Sequence, residues 1–214
     1  MITLAIDTSH HVTVGVAIDG APAARVVVED QRAHVEQLQP SIEAACAQAG
    51  VRLRDVDEFV VGMGPGPFTG LRVGIATAAT LAEVAGKPLH RVCSLDVVAL
   101  GLAGRGMGGE FVVASDARRK ELNWARYAAD GTRIGEPNVS APTGLPALPV
   151  RGAVPEVYRE LLDFAGEHAL DPGFLAAHHT RLPVAGEEPY YLRDPDATVP
   201  GAPKSALPRM RVRR

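Results

Sequence analysis

The chain has 214 residues, of which 46% are hydrophobic and 22% charged, a composition typical of a soluble globular protein with one large domain or two lobes. Its net charge is −3, and because the last eleven residues carry five basic side chains and no acidic one, the remainder carries −8. An acidic body argues against nucleic-acid binding by the folded part alone, since neutralising phosphates supplies most non-specific affinity. The basic end, predicted to be a solvated tail, contains Lys204, Arg209, Arg211, Arg213 and Arg214.

The cysteines and the first residues indicate a cytoplasmic protein. Cys46 and Cys93 are far apart and fit no metal-ligand spacing, so we expect buried thiols in a reducing compartment. Residues 1–6 lack a basic stretch and run directly into Asp7. No apolar run approaches the length of a membrane span, and we expect no membrane attachment.

The first half of the chain predicts three consecutive strands followed by alternating helices and strands. An Asp19-Gly20 hairpin signal joins the second and third strands. Apolar residues at helical spacing, with Leu38 and Ile42 among them, predict a first helix that ends at Gly50. Ser94 is predicted to cap the third helix. The predicted strands are 2–6, 12–18, 24–28, 59–63 and 89–92, and the predicted helices are 33–49, 70–85 and one that begins at residue 94.

This order, β-β-β-α-β-α-β-α, is that of the ribonuclease-H-like lobe of the actin-like (ASKHA) superfamily, so we expect an α/β fold of that class. The second half again begins with a meander, with strands at 111–115 and 121–128, a loop at 138–149, a helix at 154–168 and a short helix started by Asp171 and Pro172. It reads as a reduced second lobe. The predicted units are 1–103, 104–193 and a Pro-rich basic tail at 194–214.

A glycine-rich stretch from Gly62 to Gly74 lies between a predicted strand and a predicted helix. A phosphate-binding P-loop needs a lysine after its last glycine, but Leu71 follows Gly70. A dinucleotide fingerprint needs a glycine where Pro67 stands. Both nucleotide motifs are excluded, and the stretch is predicted to be a proline-stiffened loop that starts a helix.

Small residues follow at strict four-residue spacing on this helix: Gly70, Gly74, Ala78 and Ala82. They form a narrow track roughly 18 Å long. Glycine inside a helix costs about 1 kcal/mol relative to alanine, which indicates that another backbone comes close. That backbone belongs either to the chain's own sheet or to a partner helix, and the sequence leaves both open.

The residues that could carry chemistry do not form a complete site. Asp7-Thr8-Ser9 follows the first strand, where actin-like ATPases place a phosphate-binding hairpin, but the matching place in the second half, Asp116-Ala117-Arg118, has no glycine to let the backbone approach a phosphate. Half of a phosphate clamp does not predict ATP hydrolysis. Thr69 is expected to cap a helix rather than act as a nucleophile.

No metal site is predicted. The seven histidines include no pair at helical ligand spacing, so each is expected to lie at the surface or to be satisfied locally. They are His10, His11, His34, His90, His168, His178 and His179.

Five segments, in this order, resemble the TsaB family, and the resemblance covers about residues 1–193. The glycine-rich element is the most specific of them, and its one departure is Pro67, where many relatives have serine. The segments are Ile6-Asp7-Thr8-Ser9, His34-Val35-Glu36-Gln37-Leu38-Gln39-Pro40, Gly64-Pro65-Gly66-Pro67-Phe68-Thr69-Gly70-Leu71-Arg72-Val73-Gly74, Ser115-Asp116-Ala117-Arg118 and Pro189-Tyr190-Tyr191-Leu192-Arg193.

The resemblance implies an actin-like subunit without catalysis of its own, which supports formation of N6-threonylcarbamoyladenosine in ANN-decoding tRNAs. Such subunits bind the catalytic paralogue TsaD through their first two helices, and the small ATPase TsaE joins the assembly. We therefore expect no cofactor of the chain's own, tRNA contact only through the complex, and a nucleotide remnant at Asp7, Thr8 and Ser9. Self-association of the isolated chain and a nucleotide at a subunit junction both stay open. The partner interface is expected to contain Leu38, Ile42, Phe68, Gly70, Leu71, Arg72, Gly74, Ile75, Ala78 and Ala82.

An independent enzyme is the alternative. It would be a small actin-like phosphotransferase using Asp7 and Asp116, or a glycoprotease of the kind with which this family was once labelled. Either activity would require the isolated chain to bind Mg-ATP or to cleave peptides. The His-x-x-x-His metal motif of the catalytic paralogue is absent from the sequence.

Overall fold

The computed structural model describes residues 1–29 and 34–193, so the predicted helix start at Ala33 and the predicted tail at 194–214 lie outside the described residues. Within this part of the chain, two five-stranded sheets account for the α/β fold. None of the described helices is both long and apolar enough to cross a membrane.

The first sheet has the strand order β3-β2-β1-β4-β5, in which β1, β2 and β3 are antiparallel and β4 and β5 run parallel to β1. Along the chain, the elements follow the predicted order β-β-β-α-β-α-β-α, apart from a short 3-10 turn. Its strands are β1 (Ile2–Asp7), β2 (Val12–Ile18), β3 (Ala21–Val28), β4 (Glu58–Gly62) and β5 (Leu89–Val92), and its helices are α1 (His34–Ala49), α2 (Phe68–Ala85) and α3 (Ser94–Ala103). A 3-10 turn (Leu53–Asp55) precedes β4.

The helices bury the predicted stripes. Leu38 and Ile42 of α1 pack with Leu4 and Val14 of the sheet, and α2 adds Ala78 to the same cluster. Gly50 follows α1 with a positive φ of 68°, as the predicted helix end requires. Helix α2 begins at Phe68, two residues before the predicted start, because Pro67 supplies the extended residue that precedes the first turn.

The second sheet repeats the topology of the first, with the order β10-β9-β6-β7-β8. The reduction expected of the second half therefore lies in its helices rather than in its strands. The elements are β6 (Phe111–Asp116), β7 (Leu122–Tyr127), β8 (Arg133–Ser140), β9 (Val150–Ala153), α4 (Glu156–Arg159) and β10 (Phe164–Glu167), with a 3-10 turn at Pro142–Gly144.

The prediction of a helix at 154–168 is wrong. Strand β9 precedes this segment, only α4 is helical, and β10 ends it. Apolar residues of this segment pack on the second sheet, where Val154, Tyr158 and Leu162 meet Val112 and Val150. Pairing with β6, which is distant in sequence, fixes β9 and outweighs the local pattern.

The last described helix packs on the first sheet. Helix α5 (Pro172–His178) is capped by Asp171, whose carboxylate accepts from the N–H groups of Gly173 and Phe174, as predicted. Its start lies against Gly15 of β2, where a Cβ atom would collide with the Pro172 carbonyl. A 3-10 turn (His179–Arg181) follows. Helix α5 belongs by sequence to the predicted second unit, 104–193, but it packs on the first sheet. The division of the chain at residue 103 stays a prediction.

Truncation of a leucine in α5 tests whether this helix packs on the first sheet. Leu175 of α5 is fully buried against Ala5 and Val60, so Leu175→Ala should lower the free energy of unfolding by about 2–5 kcal/mol in urea titrations. Leu161 is 59% exposed, and Leu161→Ala should change it by less than about 0.5 kcal/mol. Equal losses in the two variants would contradict this placement of α5.

Candidate functional site: the Asp7 loop and the motif pocket

The Asp7 carboxylate ends β1 and is 2% exposed. Its Oδ1 accepts hydrogen bonds from the Ser9 N–H at 2.8 Å and the Ser9 hydroxyl at 2.6 Å, and its Oδ2 accepts from the Ser94 hydroxyl at 2.5 Å. Burial raises the pKa of Asp7, while the hydrogen bonds from Ser9 and Ser94 oppose that rise. Three donors thus hold a buried acid inside the chain.

The prediction that Ser94 caps α3 is wrong. The N-cap position is Cys93, and Ser94 is the first helical residue. Its hydroxyl is used in tertiary structure, because it donates to Asp7 and accepts from the Gly64 N–H at 3.1 Å. Gly62 makes room for this contact, since a Cβ atom there would collide with Oδ2 of Asp7.

The predicted nucleotide remnant is engaged in internal contacts. Thr8 and Ser9 are 3% and 8% exposed, and the Thr8 hydroxyl donates to the Gly70 carbonyl at 2.8 Å. A hydrated Mg²⁺ is held through carboxylate oxygens that face it, whereas both oxygens of the buried Asp7 already accept hydrogen bonds within the chain. On the other sheet, Asp116 accepts from the Arg118 N–H at 2.8 Å.

A cleft of about 510 Å³ lies beside Asp7, between the two sheets. Its walls carry charges of both signs, including an ion pair between Arg25 and Asp171 at 3.2 Å and a contact between Arg105 and His168 at 3.5 Å. Its volume is in the range of small-molecule sites. The cleft borders Asp7 and Ser9, two residues of the predicted nucleotide remnant.

A second, smaller pocket of about 210 Å³ joins three motif segments that are far apart in sequence. The glycine-rich loop contributes Phe68, the second sheet contributes Asp116, and the last described segment contributes Tyr191 and Arg193. The sequence placed these segments in order along the chain but gave no sign that they meet.

Aromatic and backbone contacts fasten this motif pocket. The rings of Phe68 and Tyr191 lie 4.7 Å apart, and the Arg72 guanidinium lies 4.8 Å from the Phe68 ring centre. The Tyr190 N–H donates to the Met63 carbonyl at 2.9 Å. Arg193 donates to the Ala117 carbonyl at 3.1 Å. The start of α2 is therefore held by the last described residues.

The small-residue track on α2 faces the chain's own fold. Gly74, Ala78 and Ala82 are buried, and a Cβ atom on Gly74 would collide with the Thr8 side chain. The close neighbour seen in the structure therefore belongs to the chain itself: it is Thr8, through its side chain at Gly74 and through its backbone carbonyl, 3.0 Å from a Cβ placed on Gly70.

The residues predicted for the partner interface divide by burial. Phe68 and Arg72 are exposed, and Gly70 and Ile75 are half-buried. Their interface role stays a prediction. The remaining six lie inside the chain: Leu38, Ile42, Leu71, Gly74, Ala78 and Ala82.

Next to the buried track, α2 presents an outer face. Phe68, Arg72, Ala76, Thr80 and Val84 recur at four-residue spacing and are all exposed, Val84 by 83%. We call these five residues the outer face of α2. The four-residue spacing of this row is visible in the sequence, but spacing alone does not show which row faces solvent.

The remaining candidate nucleophiles lack the environment they need. Thr69 lies in the first turn of α2 and does not cap it, because the N-cap is Pro67. Burial, with a smaller contribution from the Asp96 charge, raises the pKa of Cys93 to about 12. Burial also raises the pKa of Cys46. Both thiols are buried, as predicted.

Two histidines form a cluster that sequence reasoning missed. Ligand atoms of Glu58, His90 and His179 lie within 4.8 Å of one another, on the face of the first sheet that α5 covers. The histidines are 89 positions apart in the sequence, so no spacing rule could find the pair.

Comparison with known proteins finds a matching family model and several relatives. The family model described as TsaD, tRNA N6-adenosine threonylcarbamoyltransferase, matches residues 27–163. A protein of unknown function from Mycobacterium leprae is 48% identical over 71% of this chain, which spans 43% of that relative. The tRNA threonylcarbamoyladenosine biosynthesis protein TsaB of Escherichia coli is 34% identical over 63% of this chain and 58% of its own.

A solved structure has the same fold. YeaZ from Pseudomonas aeruginosa superimposes with a TM-score of 0.67 and 25% identity, over 84% of this chain and 92% of its own. The actin-like fold predicted from the element order is thereby confirmed.

Alanine at Gly74 tests the close contact with Thr8. Helix propensity alone would favour Gly74→Ala by about 1 kcal/mol, but the collision should reverse the sign and cost about 1–3 kcal/mol. Gly101 in α3 is the matched control, because its added Cβ would meet only Phe174 at 3.8 Å, and Gly101→Ala should be neutral or stabilising. If Gly74→Ala unfolds at the same urea concentration as Gly101→Ala, the contact is not tight.

Thiol reactivity tests the burial of the cysteines. With a pKa of about 12, only about one Cys93 in 10,000 is a thiolate at about pH 8. The native chain should react with Ellman's reagent far more slowly than the urea-unfolded chain, which should release two equivalents, one for each cysteine. A fast equivalent in the native chain would contradict the burial of that thiol.

Proposed function

The chain belongs to the TsaB (YeaZ) family of tRNA threonylcarbamoyladenosine biosynthesis proteins, and we propose that it is a non-catalytic subunit that binds and activates the catalytic paralogue TsaD. The assembly also takes up the ATPase TsaE and contacts tRNA as a whole. We place the chain in the cytoplasm, because tRNA modification takes place in that compartment.

The observation that carries this proposal is the use of the family's motifs for packing. Gly74 receives the Thr8 side chain, and Asp7 is enclosed by Ser9 and Ser94. In the described residues, the parts of an actin-like fold that would hold phosphates thus hold the chain together. This supports a scaffold role over a phosphotransferase that uses Asp7 and Asp116.

The outer face of α2 is the surface we propose for the partner. It combines small side chains, which allow another helix to approach, with the exposed Val84 and the paired Phe68 and Arg72 at its other end. Aromatic and arginine side chains are enriched at interface hot spots. Because the Phe68–Tyr191 contact fixes this end, little conformational freedom is lost on binding. The same face would allow a homodimer when the partner is absent.

Co-purification and a tRNA assay test the proposal directly. The chain should form a stable heterodimer with TsaD, and threonylcarbamoylation of tRNA by TsaD and TsaE should depend on adding it. The isolated chain should neither hydrolyse ATP nor cleave peptides. Either activity in the isolated chain, or full modification without it, would favour the independent enzyme.

A buried charge tests the outer face of α2. Val84→Asp should weaken TsaD binding at least tenfold, because a carboxylate buried without a partner costs more than about 1.4 kcal/mol. Val157, which is 74% exposed on α4, is the matched control, and Val157→Asp should leave the affinity unchanged. Calorimetric titration measures both. Equal affinities for the two variants would remove the outer face from the interface.

A further inference from the structure

The cluster of Glu58, His90 and His179 joins three elements on one face of the first sheet. Glu58 is paired with Thr3 of β1, and His90 is paired with Val60, which lies two residues after Glu58 on β4. Because side chains two apart share a face of a strand, Glu58 and His90 point the same way. The 3-10 turn after α5 brings His179 onto them.

The three side chains place potential ligand atoms close enough together to surround one small cation. Nε2 of His90 lies 3.1 Å from Oε2 of Glu58, and Nε2 of His179 lies 3.5 Å from Oε1. A tetrahedral zinc site with bonds of about 2.0–2.1 Å places its ligand atoms about 3.3 Å apart. The two distances run to different oxygens of Glu58, and one ligand atom from each of the three residues lies within 4.8 Å of the other two. Small side-chain shifts would therefore bring three ligand atoms to the tetrahedral spacing.

His179 uses Nδ1 in a hydrogen bond, and its other ring nitrogen, Nε2, has no hydrogen-bond partner among the described residues. Nδ1 lies 3.1 Å from the Ala176 carbonyl, which can only accept, so Nδ1 carries the hydrogen. A neutral ring then has a lone pair on Nε2. That nitrogen is buried, has no hydrogen-bond partner among the described residues, and faces a carboxylate oxygen. If that ring is neutral, two acceptors face each other across this gap, and a bound cation would satisfy both.

Glu58 is held in place as metal-binding carboxylates are. The Thr3 hydroxyl donates to Oε1 at 2.6 Å, and the Glu58 side chain is only 9% exposed. Hydrogen bonds from outside the ligand set orient ligands and raise metal affinity. The Ala176 carbonyl does the same for His179.

We propose that Glu58, His90 and His179 bind one Zn²⁺ ion, with a fourth position open to solvent beside His90. The His90 side chain is 38% exposed, so an ion can enter from that side. Two imidazole nitrogens favour zinc over Mg²⁺ or Ca²⁺, which take oxygen ligands. The ion would fasten the segment after α5 to β4 and β5, and its role is independent of the function proposed above.

The test uses the full chain, treated with a chelator and dialysed. Calorimetric titration with Zn²⁺ should give one equivalent at micromolar or lower Kd, and thermal unfolding should shift upward with zinc. Co²⁺ should produce the visible absorption of a four-coordinate nitrogen and oxygen site. His90→Gln, at the most exposed ligand, should raise the Kd for Zn²⁺ at least tenfold while the zinc-free chain unfolds as the wild type does.

A histidine outside the cluster provides the control. His168 lies near Arg105 and the Gly166 carbonyl, and His168→Gln should bind Zn²⁺ as the wild type does. Three results would overturn the proposal: no stoichiometric binding at micromolar zinc, equal loss of affinity in His168→Gln and His90→Gln, or unchanged affinity in Glu58→Gln. Nitrogen NMR showing His179 doubly protonated at neutral pH in the presence of zinc would overturn it as well, because a proton would then occupy the place of the ion.

Discussion

The fold depends on one buried carboxylate. Asp7 ends the central strand of the first sheet and is reached by donors from its own loop and from α3. Burying an ionised acid in this position costs free energy unless each carboxylate oxygen accepts a hydrogen bond. This requirement restricts which residues can lie next to Asp7. Gly62 must lack a side chain, and Ser94 must lie at the start of α3 rather than in front of it. One acid thus sets where β1, β4 and α3 meet.

A second constraint follows from the residue after Asp7. The Thr8 side chain occupies the space that a side chain at Gly74 would need, and its hydroxyl binds the Gly70 carbonyl. The loop that encloses phosphates in the ATPases of this fold is therefore close-packed against a helix. In this chain the Asp7 loop thus contributes to packing, while the opposite face of α2, where we propose that a partner binds, is exposed.

The sequence predicted what depends on local pattern and missed what depends on distant contacts. Alternating and helical periodicities defined the first sheet and the stripe that includes Leu38, and the glycine at position 50 ended α1 as expected. Strands β9 and β10 were missed because β9 pairs with the distant β6 and β10 pairs only with β9, and the apolar residues between them repeat at helical spacing. The motif pocket and the histidine cluster were missed because their members meet only in the folded chain. The direction of the small-residue track could not be predicted either, since a close backbone contact within the chain and one with a partner require the same glycines.

The course of the last helix decides which surface of the first lobe remains free. Helices α1 and α2 cover one face of the first sheet, while α5 covers the other with Leu175. Helix α3 lies between the two sheets, since Val97 packs toward the first and Leu95 toward the second. Both faces of the first sheet are thus occupied by the chain itself, so the outer side of the α1–α2 layer is what this lobe can offer to another protein. A contact that fastens α5 and the turn after it, such as the cluster at His179, would hold that layer in place from the opposite side of the sheet.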